Sequence, residues 1–217
     1  MVRDLGQGVP TTLQDSTEPA APRPGRPGVT RRAELGTRAL ELFSRRGFEA
    51  TTVDDIAAAA GIGRRTFFRY FASKNDAVWG EFEQGLSDLR SRFAGTDPDQ
   101  PLLAALHDAV LAFNRFDPSE VPWHRERMAL ILGVPALQAH STLRYAAWRQ
   151  VVAEFVARRL GEPEDALLPQ LVAHSCLGAA LTAYEQWLTA PGAELQPLLS
   201  RALHALDGSW ADTRGRR

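Results

Sequence analysis

At 217 residues, 44% of them apolar, the chain can bury one generous core or two modest ones, which excludes a disordered or fibrous protein. No run approaches the ~20 uninterrupted apolar residues of a spanning helix, the start MVRDLGQGVPTTLQ lacks the apolar core of a secretory signal, and the single Cys176 offers neither a disulfide nor metal-ligand spacing, so a cytoplasmic chain with no metal, cofactor or membrane partner is expected. The net charge of −1 is split: residues 23–74 carry eleven Lys or Arg against five Asp or Glu, whereas the rest of the chain carries fourteen against twenty-one, so one part suits a polyanion and the other does not.

Residues 1–29 hold five prolines and four glycines, with APRPGRPG at 21–28, the composition of a disordered arm. Its Arg23 and Arg26 suit either an adjacent minor groove or a solvated linker. From Thr30 onward apolar residues recur at three and four, no β-branched alternation extends over five residues, and breaks carry Gly, Pro, Ser or Asp, so the fold class is all-α. The first helix covers Thr30 to Arg46 and stops at Gly47. Thr52 followed by Asp55 has capping-box spacing and opens a short helix with Val53, Ile56, Ala57 and Ala60 inward. After Gly-Ile-Gly a second short helix carries Arg64 to Tyr70. Ser73 with Asp76 repeats the start signal for a longer helix to about Ala94. Five more are expected at Pro101 to Phe116, Ser119 to Leu132, Pro135 to Leu160, Glu164 to Thr189 and Ala193 to Leu206, about nine in all, with 211–217 as a tail. No repeat of 20 to 50 residues is present.

GIGRRTFFRYF at 61–71 concentrates the chemistry. A dinucleotide-binding loop would need a preceding strand and a third glycine, where this chain has an alanine-rich helix and Thr66. Two short helices joined by a glycine turn instead make a helix-turn-helix, at about 52–71, whose second helix can enter a major groove. Gly61 supplies the positive φ of the turn and Ile62 fills the angle between helices. Phe67 and Phe71, four apart, pack inward with Ile56 and Phe43, which leaves Arg64, Arg65, Thr66 and Arg69 outside.

The stretch TTVDDIAAAAGIGRRTFFRYFASKNDAV resembles the DNA-binding domain of TetR-family regulators, matching at Thr52, Ile56, Ala57, Ala60, Gly61, Thr66, Phe71, Ser73 and Lys74. The resemblance covers about 30–80, and the helical region 81–210 fits the family's ligand and dimerisation domain. It implies phosphate contacts from Thr52, Thr66, Tyr70 and Lys74. Gly63, Arg65, Phe68 and Val78 depart from the family's usual Ser, Gly, Tyr and Leu; Phe68 lacks the hydroxyl that would reach a phosphate, while Arg65 adds a fork able to take guanine bidentately. Arg64, Arg65 and Arg69 are the candidates for base edges. The run MALILGVPALQAHSTLRYAAWRQVVAEF also resembles the regulators found with mycofactocin clusters.

For a ligand pocket, His107, Val110 and Asn114 on one helix and Trp123, Met128, Ile131, Tyr145 and Trp148 on the next two are the candidates. His124, Arg125, Arg127, Arg144 and Arg149 would stand at its mouth, a rim suited to an elongated apolar carboxylate or acyl thioester. The helix EDALLPQLVAHSCLGAALTAYEQWLTA is apolar or small on nearly every side and must be covered all round, either within the chain or, with its successor, in a two-fold dimer. A homodimeric regulator, most simply a repressor, binding a palindromic double-stranded operator and released by a small apolar or acyl effector is the expectation. The competing reading is an all-α enzyme or ligand-binding protein with no DNA role. His124-Arg125-Glu126 has the H-x-E spacing of zinc deaminases but no Cys pair follows, and neither H-E-x-x-H nor G-x-S-x-G occurs, so no catalytic residue is assigned.

Overall fold

The computed structural model describes the backbone of residues 28–211 and side chains from 31 to 207; Arg23, Arg26 and the tail lie outside the described residues. These residues form ten α-helices and no strand. They are α1 (Gly28–Arg46), α2 (Val53–Ala59), α3 (Arg64–Tyr70), α4 (Lys74–Trp79), α5 (Phe82–Ala94), α6 (Leu102–Phe113), α7 (Val121–Gly133), α8 (Pro135–Leu160), α9 (Leu167–Thr189) and α10 (Leu195–Ala211).

The helix boundaries follow local chemistry. α1 ends where Gly47 turns to φ +84, and α2 starts in a complete capping box between Thr52 and Asp55. Gly61 at φ +64 makes the turn to α3. α8 begins on Pro135, whose missing N–H costs a helix nothing in its first turn, and ends at left-handed Gly161.

The single helix expected from Ser73 to Ala94 is two helices. Gly80, at φ 57 and ψ −119, breaks it between α4 and α5. The break is held from both sides: Arg32 of α1 donates to the Gly80 carbonyl at 3.3 Å, and a Cβ at Gly80 would stand 3.3 Å from Arg127 Nη2. Only a residue without a side chain fits this conformation in that space.

Two apolar clusters organise the interior. One joins Leu35, Leu40 and Phe43 of α1 and Ile56, Phe67 and Phe71 of the α2–α3 region to Val78, Ile131, Leu137, Trp187 and Leu199. The other lies among α5, α6, α8, α9 and α10, around Leu106, Val152, Cys176 and Leu203. Phe67 and Phe71 are fully buried, as their four-residue spacing predicts, so truncating either to alanine costs about 3–5 kcal/mol. The first cluster runs unbroken from the three N-terminal helices into α7 and α9, so movement at one end must be accommodated at the other.

Candidate nucleic-acid interface and ligand cavity

Because Phe67 and Phe71 anchor α3 inward, its other side is presented to solvent. Arg64, Arg65, Phe68 and Arg69 are exposed and Thr66 and Tyr70 half-buried. Arg64 pairs with Asp54 of α2 at 2.9 Å and lies over the Phe68 ring. Arg69 covers the Tyr70 ring and donates to its hydroxyl at 3.2 Å, which draws that phenol below its ordinary range. Arg65 makes no hydrogen bond, ion pair or ring contact among the described residues. Its fork is therefore the one on α3 that needs no rearrangement to take a new acceptor. Phe68, 44% exposed and edge-on to Phe67, adds an apolar surface to the same face.

The expected phosphate contacts stand differently. Both donors of Thr52 are committed to Asp55: its N–H at 2.8 Å and its hydroxyl at 2.6 Å reach Oδ2. These hydrogen bonds, with the Arg46 charge, hold the Asp55 carboxyl below its usual range. Lys74 spends one N–H on the Phe48 carbonyl at 2.8 Å, with its ammonium 4.2 Å from the Phe48 ring, and keeps two.

Behind this domain lies a cavity of about 500 Å³, bounded by α7, α8 and α9, by Phe113, Asn114 and Phe116, by Ala33, Gly36 and Thr37 of α1, and by the Gly80 break. Asn114, Trp123, Met128, Ile131, Tyr145 and Trp148 line it as the sequence suggests. His107 and Val110 do not. The stripe they share with Asn114 is continuous, but only the C-terminal end of α6 reaches the cavity; Val110 is sealed in the second core, and His107, about two turns away, faces Asp207 of α10. The basic rim is also thinner than expected. His124 and Arg127 line the cavity, whereas Arg125 donates to Leu188 O and stacks on Trp187, and Arg144 is drawn to Asp76 and Glu83. Arg149 is not among the lining residues.

Three buried groups form a chain in the wall: Asn114 Nδ2 donates to Val110 O at 2.8 Å, Tyr184 Oη donates to Asn114 Oδ1 at 2.7 Å, and His124 Nε2 lies 2.8 Å from Tyr184 Oη. Since the Tyr184 proton goes to Asn114, His124 must donate from Nε2, and its Nδ1 is left as a bare acceptor. Burial and then the Arg127 charge pull His124 down to about 3, so the ring is neutral, while burial pushes the Tyr184 and Tyr145 phenols up. Four polar atoms of lining residues are buried with no hydrogen-bond partner among the described residues: Trp79 Nε1, His124 Nδ1, Arg127 Nε and Tyr145 Oη. Such orphans are costly and rare, and their gathering around one apolar space points to a ligand with complementary groups. Tyr184 and Trp79 were missed from the sequence. The available signal was a tyrosine on a largely apolar helix, where a buried hydroxyl must find a partner.

Asp76 of α4 ties the domains together. Its carboxylate takes the Ser73 hydroxyl at 2.7 Å, Arg144 Nη2 at 2.7 Å and lies 3.1 Å from His140 Nε2, both of α8. Burial raises the Asp76 carboxyl, but these hydrogen bonds and charges outweigh it and leave it below the usual range.

Two family models match the chain: bacterial regulatory proteins of the tetR family over residues 37–76, and the MftR C-terminal domain over residues 100–211. MftR of Mycobacterium tuberculosis, named for transcriptional regulation of mycofactocin biosynthesis, is 47% identical over 184 residues, 85% of this chain and 93% of that protein. TcmR of Streptomyces glaucescens, an HTH-type transcriptional regulator, is 30% identical over 89% of this chain and 93% of its own length. Among solved structures the fold is shared with a TetR-family regulator of Syntrophomonas wolfei (TM-score 0.61, 17% identity, 81% of this chain and 92% of that one). It is shared also with Thermus thermophilus FadR, a TetR-family repressor in complex with lauroyl-CoA (TM-score 0.53, 22% identity, 81% and 92%).

Proposed function

Because this chain belongs to the TetR family of bacterial regulatory proteins, we propose that it is a dimeric repressor that reads a palindromic operator with α3 and leaves it when a long-chain acyl effector fills the cavity. Residues 30–80 serve as the reading domain and 81–210 as the effector and dimer domain. The observation that carries the DNA reading is the division of α3, with two phenylalanines fully buried and an unpartnered Arg65 outside. Arg65 takes a guanine through O6 and N7, Arg64 and Arg69 flank it, and Thr66, Tyr70 and the two remaining N–H groups of Lys74 hold phosphates.

Supporting a dimer, α9 leaves a stripe at three- and four-residue spacing uncovered: Leu167 at 79%, Leu171 at 46%, His174, Gly178 and Thr182. Around Gly178 a Cβ would meet nothing within 4 Å. A second copy covering this face along a two-fold axis places two α3 helices against successive major grooves.

The effector reading rests on the cavity's chemistry. Its walls are mainly apolar, and its orphan groups ask for an acceptor at Arg127 and Trp79 and a donor at His124, as an acyl thioester with neighbouring amide N–H groups provides. The lauroyl-CoA bound by the Thermus thermophilus relative is of that chemistry. An occupant lies against α1, the Gly80 break and Arg127 together, so it favours the arrangement of reading domains that best accommodates it, and repression is relieved by that difference in affinity. Selection of bound fragments from random DNA, followed by footprinting, tests the reading. A palindrome protected over two half-sites about one helical turn apart is expected; enrichment of no sequence removes it.

A further inference from the structure

Midway along α6, about two turns from its cavity end, three side chains converge that play no part in the proposed function. His107 is buried, His204 is exposed, and Asp207 lies between these extremes. Their ligand atoms all lie within 4.8 Å of one another. We propose that His107, His204 and Asp207 bind one divalent transition-metal ion of borderline character, zinc being the reference case, in a three-ligand site open to solvent on the His204 side.

Geometry supports each ligand. His204 and Asp207 are three apart on α10, so both project to one face, and His107 meets them from α6. The His204 Nδ1 lies 2.7 Å from the Ser200 carbonyl, an oxygen that can only accept. Nδ1 therefore carries the proton and Nε2 is left with its lone pair, the arrangement usual for a ligating imidazole whose other nitrogen is fixed by a carbonyl. His107 Nε2 stands 3.1 Å from Asp207 Oδ1, yet that oxygen is buried without an aligned hydrogen bond from any described residue. A carboxylate oxygen buried in this way is costly unless something cationic completes it. Around zinc, with bonds of about 2.0–2.2 Å and tetrahedral angles, ligand atoms lie about 3.3 Å apart. The His107–Asp207 separation already matches, and the exposed His204, whose ligand atom lies within 4.8 Å of the other two, needs a small shift to close the third side.

Two imidazoles select against magnesium and calcium, which take oxygen ligands, and a single carboxylate with two nitrogens suits zinc, cobalt or nickel. Three protein ligands leave a coordination position for water. An ion here would fasten the middle of α6 to α10, while Gln196 already fastens the C-terminal end of α6 by donating to Leu111 O at 3.2 Å and Asn114 O at 2.6 Å.

The test uses full-length, untagged, metal-stripped protein titrated with Co²⁺ by visible absorption, followed by displacement with Zn²⁺, in the wild type, His204→Ala and Asp207→Asn. His204 is exposed and Asp207→Asn keeps shape and polarity; circular dichroism of each variant verifies the helical fold. One Co²⁺ per chain with a d–d band of low-symmetry N,O coordination, displaced by one Zn²⁺, is expected. Both variants should bind at least about 10–100-fold more weakly, the loss that removing even an outer-shell partner of a ligand produces. Absence of a band in the wild type, or unchanged affinity in either variant, overturns the three-ligand site. In the first case the cluster is an imidazole–carboxylate contact only, and in the second the ion sits elsewhere.

Discussion

Replacing Arg127 by methionine should make the protein more stable and less responsive to its effector at the same time. The Arg127 guanidinium is largely buried, its Nε has no hydrogen-bond partner, and no carboxylate stands within ion-pair distance among the described residues. Burial, only partly offset by the charge of Glu120, holds its pKa below the ordinary arginine value. Leaving a buried polar group unsatisfied costs about 1–3 kcal/mol, and methionine keeps an unbranched apolar stem while giving up the guanidinium atoms that stand over Gly80. Arg127→Met is therefore expected to stabilise the fold by about 1–2 kcal/mol, a rise in Tm of about 2–8 °C for a chain of this size. A charge-assisted hydrogen bond to an acyl carbonyl or phosphate is worth about 1.5–3 kcal/mol. At 1.4 kcal/mol per factor of ten, the effector should bind about 10–150-fold more weakly. Thermal unfolding with and without lauroyl-CoA reads both numbers. A less stable variant with an unaltered ligand-induced shift would mean instead that Arg127 is satisfied in the apo fold and idle in the complex.

Three other perturbations follow from the same geometry. His124 is neutral in the fold with its pKa near 3, against an ordinary 6.5, so the unfolded chain binds the additional proton; stability is complete above about pH 6.5 and is lost as pH falls toward 3. Between pH 7 and pH 5 this amounts to about 2 kcal/mol, and chemical denaturation of His124→Gln at both pH values should show that increment removed. Arg65→Ala should weaken specific binding by about 1–3 kcal/mol and relax preference at one base pair per half-site, with affinity for random DNA little changed; binding to operators mutated base by base reads this, and undiminished discrimination would assign the reading to another residue. Leu171→Glu, on the uncovered face of α9, should yield a folded monomer with weakened operator binding in sedimentation and DNA-binding assays; a dimer of unchanged affinity would place the interface elsewhere.

What the sequence disclosed and what it hid divide along a physical line. The helix-turn-helix was legible because each determinant is local: the Thr52–Asp55 cap, the positive φ of Gly61, and the four-residue spacing of Phe67 and Phe71 all act within a turn or two. The break at Gly80 was not legible, since its causes, Arg32 and Arg127, come from distant helices and an isolated glycine is otherwise tolerated in a helix. The cavity was half legible. Aromatic and apolar side chains on α7 and α8 announce an interior, but no periodicity tells which end of α6 the interior reaches, and so His107 and Val110 were placed in it with Asn114. The His124–Tyr184–Asn114 chain joins residues from three helices and exists only in the fold. The same holds for Asp76, which reads as a helix cap but also receives Arg144 and His140 from α8.

The proposed function joins two events, the reading of DNA by α3 and its release when the cavity is occupied. It is tested most directly by fluorescence anisotropy of a labelled operator duplex bound to the wild-type protein and titrated with lauroyl-CoA. A complex is expected whose anisotropy falls to that of free DNA as ligand is added, with Arg127→Met requiring about 10–150-fold more ligand for the same release. A complex whose affinity is indifferent to every acyl chain offered, or a protein that forms no specific complex at all, would contradict it.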